Sequence, residues 1–304
     1  MEGSIQGKII KSIAGFYEVY ASGTIYRCRA KGVFRALGQK PLVGDDVEID
    51  ITDVVSDPKE GNVTALLPRK NELVRPNVAN VDQACLIFAV TNPAPSYNML
   101  DRFLIEMKCR HLPAILCFNK TDLARREDLE ELKGTYESCG CRVFFISVRE
   151  KSSLDEIKAA LLHKTTVLTG PSGVGKSSLV NELIPGASME TGELSKKLAR
   201  GKNTTRHVEL LAAGEDTFLV DTPGFTSLYL ADVAADEVKN YYEEFAPFAP
   251  HCRFAGCNHI SEPGCAVKEA LKEKKISPIR YRNYCEIVEM LKDMKPDYSK
   301  SRKS

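Results

Sequence analysis

The stretch VLTGPSGVGKSSLV, residues 167–180, admits few folds. A β-branched run enters it and a helix-forming run leaves it. Between them Gly170-Pro171-Ser172-Gly173-Val174-Gly175-Lys176-Ser177-Ser178 fits G-x-x-x-x-G-K-[ST] in the strand–loop–helix setting that motif requires. The glycines let backbone N–H groups turn inward around phosphates. Lys176 is placed to reach the β- and γ-phosphates, and Ser177 to offer its hydroxyl to Mg²⁺. The helix that follows aims its positive end at the same anion.

A second motif comes earlier in the chain. CFNKTD carries Asn119, Lys120, Thr121 and Asp122 at the C-terminal end of a predicted strand, the edge where open α/β sheets bind ligands. The Asp122 carboxylate only accepts hydrogen bonds. Guanine offers a ring N–H and an exocyclic amine on one edge, and adenine lacks that pair of donors. FFISV, after the next strand, places Ser147 and Val148 where a second base-contacting loop belongs.

LVDTPGF adds Asp221-Thr222-Pro223-Gly224 after another strand. Asp221 is a candidate for the Mg²⁺ shell, and the Gly224 N–H for a bond to the γ-phosphate. Between the phosphate loop and this turn, SKKLARGKNTTRH has five basic residues, one histidine and no acid. Thr204 or Thr205 there is a candidate to complete the metal shell, with Thr205 the favoured Mg²⁺ ligand.

The order is therefore base reader, serine loop, phosphate loop, threonine loop, DTPG. Ordinary GTPases begin at the phosphate loop, and one rotation of this list restores their order. A site is defined in space and chain termini often lie close together, so circular permutation preserves it. These motifs predict a circularly permuted GTPase domain. A phosphate-loop ATPase or small-molecule kinase with a chance NKTD is the rival reading.

Cys252, Cys257, His259 and Cys265 form C-x4-C-x-H-x5-C. Three thiolates and an imidazole make a closed tetrahedral zinc set, structural because no position is left for water. His251, beside Cys252, competes as a ligand. One zinc per chain is expected.

The rest of the chain organises around these motifs. GKIIKSIAGFYEVYA, GTIYRCRAKG and DDVEIDITDVV are short alternating runs broken by glycines. Residues 1–70 thus read as about five strands in a small barrel, an OB-fold or, as runner-up, an SH3-like barrel. RPNVANVDQ reads as a connector. Residues 71–230 alternate strands with helices, predicting a mainly parallel sheet covered on both faces, with HVELLAA and DTFLVDT close enough for a hairpin. Residues 231–304 read as helical around the cysteine cluster, with DEVKNYYEEFAPFA one of the helices. Over 266–304 eleven Lys/Arg face six Asp/Glu, a local basic excess on a chain whose net charge is only +1.

No sustained apolar segment opens the chain and no run is long enough to cross a bilayer, so neither a secretion signal nor a membrane partner is expected. Ten cysteines without a secretion signal suit a reducing cytoplasm with one metal site.

Taken with its motifs, nearly the whole chain resembles the ribosome small-subunit-dependent GTPase A family (RsgA, also called YjeQ or YloQ). The resemblance rests on the barrel, the FNKTD, GPSGVGKSS, DTPGF order and the cysteine–histidine tail. It implies a monomeric bacterial cytoplasmic GTPase, bound to GTP or GDP with Mg²⁺. It also implies action late in small-subunit maturation, stimulation by the subunit, and rRNA contacts from the barrel and the zinc domain. One departure bears on catalysis. The family's threonine loop reads Gly-Arg/Lys-His-Thr-Thr, its histidine the proposed water-positioning residue, whereas this chain has Gly201-Lys202-Asn203-Thr204-Thr205. Asn203 can hydrogen-bond a water but cannot take its proton. Phe225, after Gly224, cannot orient one, and His207 lies four residues on. A nucleotide-gated RNA-binding checkpoint with slow hydrolysis is the alternative that this departure leaves open.

Overall fold

A computed structural model describes residues 4–32, 34, 38–74, 76–184, 208–214, 216–221, 230 and 233–294, with Asp221 described in its backbone only. The chain packs as two compact units. One comprises Met1–Pro93, Ile115–Asp122 and Phe144–Ser227, the other Ala94–Ala114, Leu123–Val143 and Leu228–Ser304.

Strands β1 (Ile5–Ile13), β2 (Phe16–Ala21), β3 (Thr24–Ala30), β4 (Asp46–Asp53) and β5 (Lys59–Leu66) close a barrel in the order β1-β2-β3-β5-β4. β3 and β5 pair in parallel, while β1 pairs antiparallel with both β2 and β4. The alternation read in the sequence sets the inside: Ile9, Val19, Cys28, Val47, Ile49 and Val63 are fully buried. This is the OB-like barrel of the two expected alternatives.

The expected connector holds a short hairpin instead, β6 (Glu72–Val74) against β7 (Asn77–Ala79). Its three-residue strands are too short to show a period, and tertiary anchoring defines them. Asn80 donates to the Gly44 carbonyl (3.1 Å), and Arg69 grips the buried Asp45 carboxylate through two bonds of 2.6 and 2.8 Å.

Six further strands make one sheet: β8 (Gln83–Ala89), β9 (Ala114–Asn119), β10 (Arg142–Phe145), β11 (Thr165–Thr169), β12 (Leu210–Ala212) and β13 (Phe218–Asp221). Their order is β10-β9-β8-β11-β13-β12. β11 runs parallel to β8 and β13, and β12–β13 is the expected antiparallel hairpin. β8 and β11 are buried along their whole length, which is why they read as unbroken apolar runs. Helices α3 (Leu154–Leu161) and α4 (Lys176–Leu183) pack on this sheet through Ile157, Leu161, Leu179 and Val180. The same unit carries the barrel, joined to the sheet by a Lys11–Glu209 ion pair (3.1 Å) and an edge-to-face contact of Tyr20 with Phe218.

The second unit is helical. It contains α1 (Tyr97–Cys109), α2 (Arg126–Tyr136), α5 (Ala266–Lys272) and α6 (Pro278–Asp293). Ser96 caps α1 by accepting the Met99 N–H, and α6 starts on Pro278, whose missing N–H costs nothing there. The core gathers Ile105, Val238, Tyr242, Phe245, Val267, Tyr284, Ile287 and Val288. The helix expected over DEVKNYYEEFAPFA is three short 3-10 turns, Val238–Tyr241, Glu243–Phe245 and Ala249–His251. Pro247 and Pro250 remove donors an α-helix needs. Tyr242, Glu244 and Phe245 are all buried, a crowding that helical spacing does not allow on one face.

Candidate nucleotide site and metal centre

The phosphate loop leaves the buried end of β11 and enters α4. Two of its glycines have no substitute. Gly170 sits at φ +146°, and a Cβ there would stand 2.0 Å from the Ile87 carbonyl oxygen of the neighbouring strand. Gly175, at φ +98°, is the α4 N-cap, and a Cβ would meet the Asn119 amide at 2.3 Å. The Lys176 ammonium lies over the loop and donates to the Gly170 and Pro171 carbonyls at 2.8 and 2.6 Å. Ser172 and Gly173 are exposed, while Ser177 and Ser178 are half-buried at the first turn of α4.

Asn119, nearly fully buried, joins three loops. Its Nδ2 donates to the Val174 carbonyl of the phosphate loop at 2.9 Å. Its Oδ1 accepts the Lys120 N–H at 2.8 Å and the Val148 N–H of the serine loop at 3.2 Å. Lys120 returns across the same gap, its ammonium donating to the Gly173 carbonyl at 2.7 Å and to the Asn92 carbonyl. Thr121 fixes the turn by donating its N–H to the Ile146 carbonyl at 3.2 Å.

Asp122 is held as well as presented. The Ser147 hydroxyl donates to its Oδ1 at 2.6 Å and itself accepts the Glu150 N–H at 3.1 Å. One carboxylate oxygen is thus held by the serine loop. The structure therefore brings together Asn119, Lys120, Thr121, Asp122, Ser147, Val148 and the whole run from Gly170 to Ser178. Base reader and phosphate loop, inverted in sequence, are neighbours in space. Asn203, Thr204, Thr205 and Gly224, with His207, lie outside the described residues, as does the Asp221 side chain.

The second unit gathers Cys252, Cys257, His259 and Cys265, with ligand atoms all within 4.8 Å of one another. His259 Nδ1 lies 3.5 Å from the Cys252 sulfur and 3.4 Å from that of Cys265. Burial, then the nearby Lys239 ammonium, pushes the His259 imidazolium below its ordinary range, so the ring stands neutral with a lone pair to give. Three thiols and a neutral imidazole, converging on one point, fit a metal ion of the kind the sequence suggests. His251, the competing ligand, is exposed and outside the group.

Glu262 was not legible as part of this centre. It accepts the N–H groups of Asn258, Ile260 and Ser261 at 2.9–3.1 Å and so shapes the loop that carries His259. Burial works to raise its pKa, but these donors outweigh it and hold the carboxyl at about 2. Lys239 adds bonds to the Cys257 carbonyl and the Asn258 side chain, and Tyr281 donates to the His259 carbonyl at 2.6 Å. An acid three residues past a ligand carries no pattern of its own.

A parallel-stranded sheet with a phosphate loop, a guanine-type base loop displaced ahead of it, and an OB-like barrel defines a circularly permuted GTPase. The comparisons narrow this. The model of the RsgA GTPase family matches residues 66–231, and that of the RsgA N-terminal domain matches residues 6–57. A small ribosomal subunit biogenesis GTPase RsgA of Agathobacter rectalis is 49% identical over 298 residues, covering 94% of this chain and 98% of that protein. Its Bacillus cereus namesake is 42% identical, covering 96% and 99%. Among solved structures, YloQ, described as a circularly permuted GTPase, superposes with a TM-score of 0.76 at 35% identity, covering 98% of both chains. YjeQ from Thermotoga maritima gives 0.78 at 32% identity, covering 96% and 100%. The chain belongs to the RsgA GTPase family.

Proposed function

We propose that this GTPase acts late in maturation of the small ribosomal subunit, binding GTP and GDP with Mg²⁺ and contacting rRNA. The observation that carries the nucleotide reading is the three-way clamp of Asn119, which ties base loop, serine loop and phosphate loop into one site. Asp122 reads the guanine edge. Gly170 to Ser178 hold the phosphates. Ser177 and Thr205 bind Mg²⁺ with Asp221 contributing to the site, Thr204 contacts the nucleotide, and Gly224 senses the γ-phosphate. Asn203 holds the attacking water without accepting its proton, so turnover depends on help from the bound subunit.

The subunit reading draws on the names its relatives carry and on surface chemistry. On the barrel, the exposed Arg27 and Arg29 guanidinium groups lie 4.2 and 4.8 Å from the centre of the Phe16 ring. Cations grouped with an aromatic suit a nucleic acid backbone and base. Residues 1–70, 71–230 and 231–304 act as RNA-binding barrel, GTPase and zinc-bearing modules. Cys252, Cys257, His259 and Cys265 hold one zinc. The protein works as a cytoplasmic monomer; among the described residues no helix is long and apolar enough to cross a membrane.

The test is turnover of GTP and ATP with and without purified small subunits, over a salt series. The expected result is GTP preference, turnover raised by subunits, and subunit affinity falling as salt rises, because each phosphate contact releases counterions. Equal use of ATP would remove the guanine reading. Turnover indifferent to subunits would remove the ribosomal one.

A further inference from the structure

The sequence leaves seven cysteines outside the metal cluster. Cys85 and Cys117 meet fully buried in the sheet, and a second pair lies nearer the surface. Cys139 and Cys141 flank Gly140 in the turn between α2 and β10, and their sulfurs lie 3.2 Å apart. Cys139 is buried and Cys141 is partly exposed. The turn fixes this arrangement. Gly140 takes φ +82°, and a Cβ there would collide with the Glu243 side chain at 2.3 Å and crowd the Lys108 ammonium at 3.2 Å. The Lys108 ammonium in turn pairs with Glu243 (2.9 Å) and with the Tyr241 carbonyl (3.1 Å). Both thiols therefore sit on a backbone crowded by Glu243 and Lys108, and neither belongs to the nucleotide site or the metal centre.

We propose that Cys139 and Cys141 form a redox-active dithiol that closes to an intrachain disulfide on reaction with a peroxide or a small disulfide such as oxidised glutathione. With peroxide, a thiolate displaces hydroxide from the O–O bond to give a sulfenic acid. The second thiol then attacks that sulfur and releases water, so two thiols and one peroxide give one disulfide and two waters. With a small disulfide, the partly exposed Cys141 sulfur takes one half and its partner thiolate leaves. Cys139 then attacks Cys141 and expels the second thiolate. In both routes the second sulfur, 3.2 Å away, resolves what the first begins.

The charges around the pair favour the thiolate this chemistry needs. The hydrogen bond with Cys141 lowers the first ionisation of the pair against the opposing effect of burial, to about 7 at Cys139. Arg280 from α6 acts in the same direction and Glu244 against it. The same hydrogen bond, with burial, raises Cys141, while Arg280 and Lys108 pull it down. One proton is shared between two sulfurs 3.2 Å apart, so the pair ionises as a unit.

Trypsin isolates the site, because cleavage after Lys133 and Arg142 yields a peptide whose only cysteines are these two. The full-length protein is treated with hydrogen peroxide or oxidised glutathione, and free thiols are then alkylated and mapped. The expected result is a peptide that has lost two hydrogens and resists alkylation until reduced. It should form about tenfold faster than modification at Cys109 or Cys285, whose thiols are hydrogen-bonded to the Tyr241 and Tyr281 side chains. In Cys139→Ser, oxidised glutathione should leave a stable adduct on Cys141 that the wild type does not accumulate. Cys141→Ser, at the more exposed position, checks that loss of closure does not follow from a disturbed core. Peptide that keeps both hydrogens, or reacts no faster than Cys109 and Cys285, or carries a lasting glutathione adduct in the wild type, would overturn the proposal.

Discussion

The Asn119 side-chain amide donates to the Val174 carbonyl at 2.9 Å, although the two residues lie on loops whose order in the chain is the reverse of ordinary GTPases. With Lys120 Nζ to the Gly173 carbonyl at 2.7 Å, it ties the base loop to the phosphate loop at two points. Asn119→Ala leaves a buried carbonyl and the Val148 N–H without partners. We expect a stability loss of about 1–3 kcal/mol, with weaker binding of GDP and GTP alike. Calorimetric titration and thermal unfolding of the same variant check this. Unchanged nucleotide affinity would mean the clamp does not shape the site.

Two glycines of the phosphate loop should respond very differently to alanine. Both have positive φ, which costs an L-residue about 1–2 kcal/mol. A Cβ at Gly173 would meet nothing nearer than Pro93 Cδ at 3.8 Å, whereas one at Gly170 would enter the Ile87 carbonyl at 2.0 Å. Gly173→Ala should fold with a cost near the backbone term alone. Gly170→Ala must separate β8 from the loop, and we expect a loss above about 3 kcal/mol, or no folded protein. Denaturant unfolding of the pair decides it, since equal costs would place no weight on the β8 contact.

Much of this was legible beforehand, for a physical reason. Phosphate and base loops are short, contiguous and bound to strand ends, so Gly170–Ser178 and Asn119–Asp122 carry their geometry in their spacing. The barrel strands announced themselves by period, and the β12–β13 hairpin by the short gap between two strand-like runs. What the sequence hid depends on distant partners. The 3-10 turns over Val238–His251 follow from prolines and from three neighbouring side chains sharing one core. The β6–β7 hairpin rests on Asn80 and Arg69 reaching back to the barrel. Glu262 matters through backbone N–H groups, which have no sequence signature. The contact of Cys139 with Cys141 needed the conformation of Gly140.

Asp122 should decide the base. With Ser147 Oγ fixed 2.6 Å from its Oδ1, the carboxylate presents its acceptors in one orientation. Asp122→Asn replaces an acceptor with a donor, matching xanthine, which has an oxygen where guanine has its amine. GTP affinity should fall by more than about tenfold, roughly 1.4 kcal/mol, and xanthosine triphosphate should bind better than to the wild type. Ser147→Ala should weaken GTP binding by less and leave the preference for guanine intact. Competition binding with the two nucleotides tests both, and an Asp122→Asn protein that ignores xanthosine triphosphate would count against the role assigned to Asp122.

The metal centre predicts one zinc equivalent in protein purified without chelator. Metal binding there is worth on the order of 10–16 kcal/mol at neutral pH in comparable closed sites. Chelation, or Cys257→Ser, should therefore loosen the loop of residues 252–265 and lower the unfolding temperature of the helical unit. The phosphate loop and the four ligands belong to different compact units, so GDP affinity should hold. Elemental analysis and unfolding with and without chelator provide the check. Absence of zinc from active protein would remove the assignment.

A buried charge cluster in the helical unit belongs to neither the nucleotide site nor the metal centre. Arg280 is 2% exposed, and its guanidinium donates to Glu244 at 2.7 and 3.1 Å and to Asp101. Asn283 donates to the other Asp101 oxygen at 2.6 Å, and the guanidinium lies 4.5 Å from the centre of the Tyr242 ring. The cluster ties α1, α6 and the 3-10 turn at Glu243–Phe245 into one helical unit. Such a group gains little over a well-packed apolar one, because removing three charges from water costs nearly what their attraction returns. Breaking it is another matter. Arg280→Met leaves two carboxylates facing each other without a cation, and should cost about 3–5 kcal/mol. Adding Asp101→Asn and Glu244→Gln to Arg280→Met removes the unpaired charge and should recover a large part of that loss. The three residues are in contact, so the costs must be non-additive. Denaturant unfolding of the single and triple variants measures it. A triple variant no more stable than Arg280→Met would show that the guanidinium holds the unit together by shape and stacking on Tyr242, with its charge incidental.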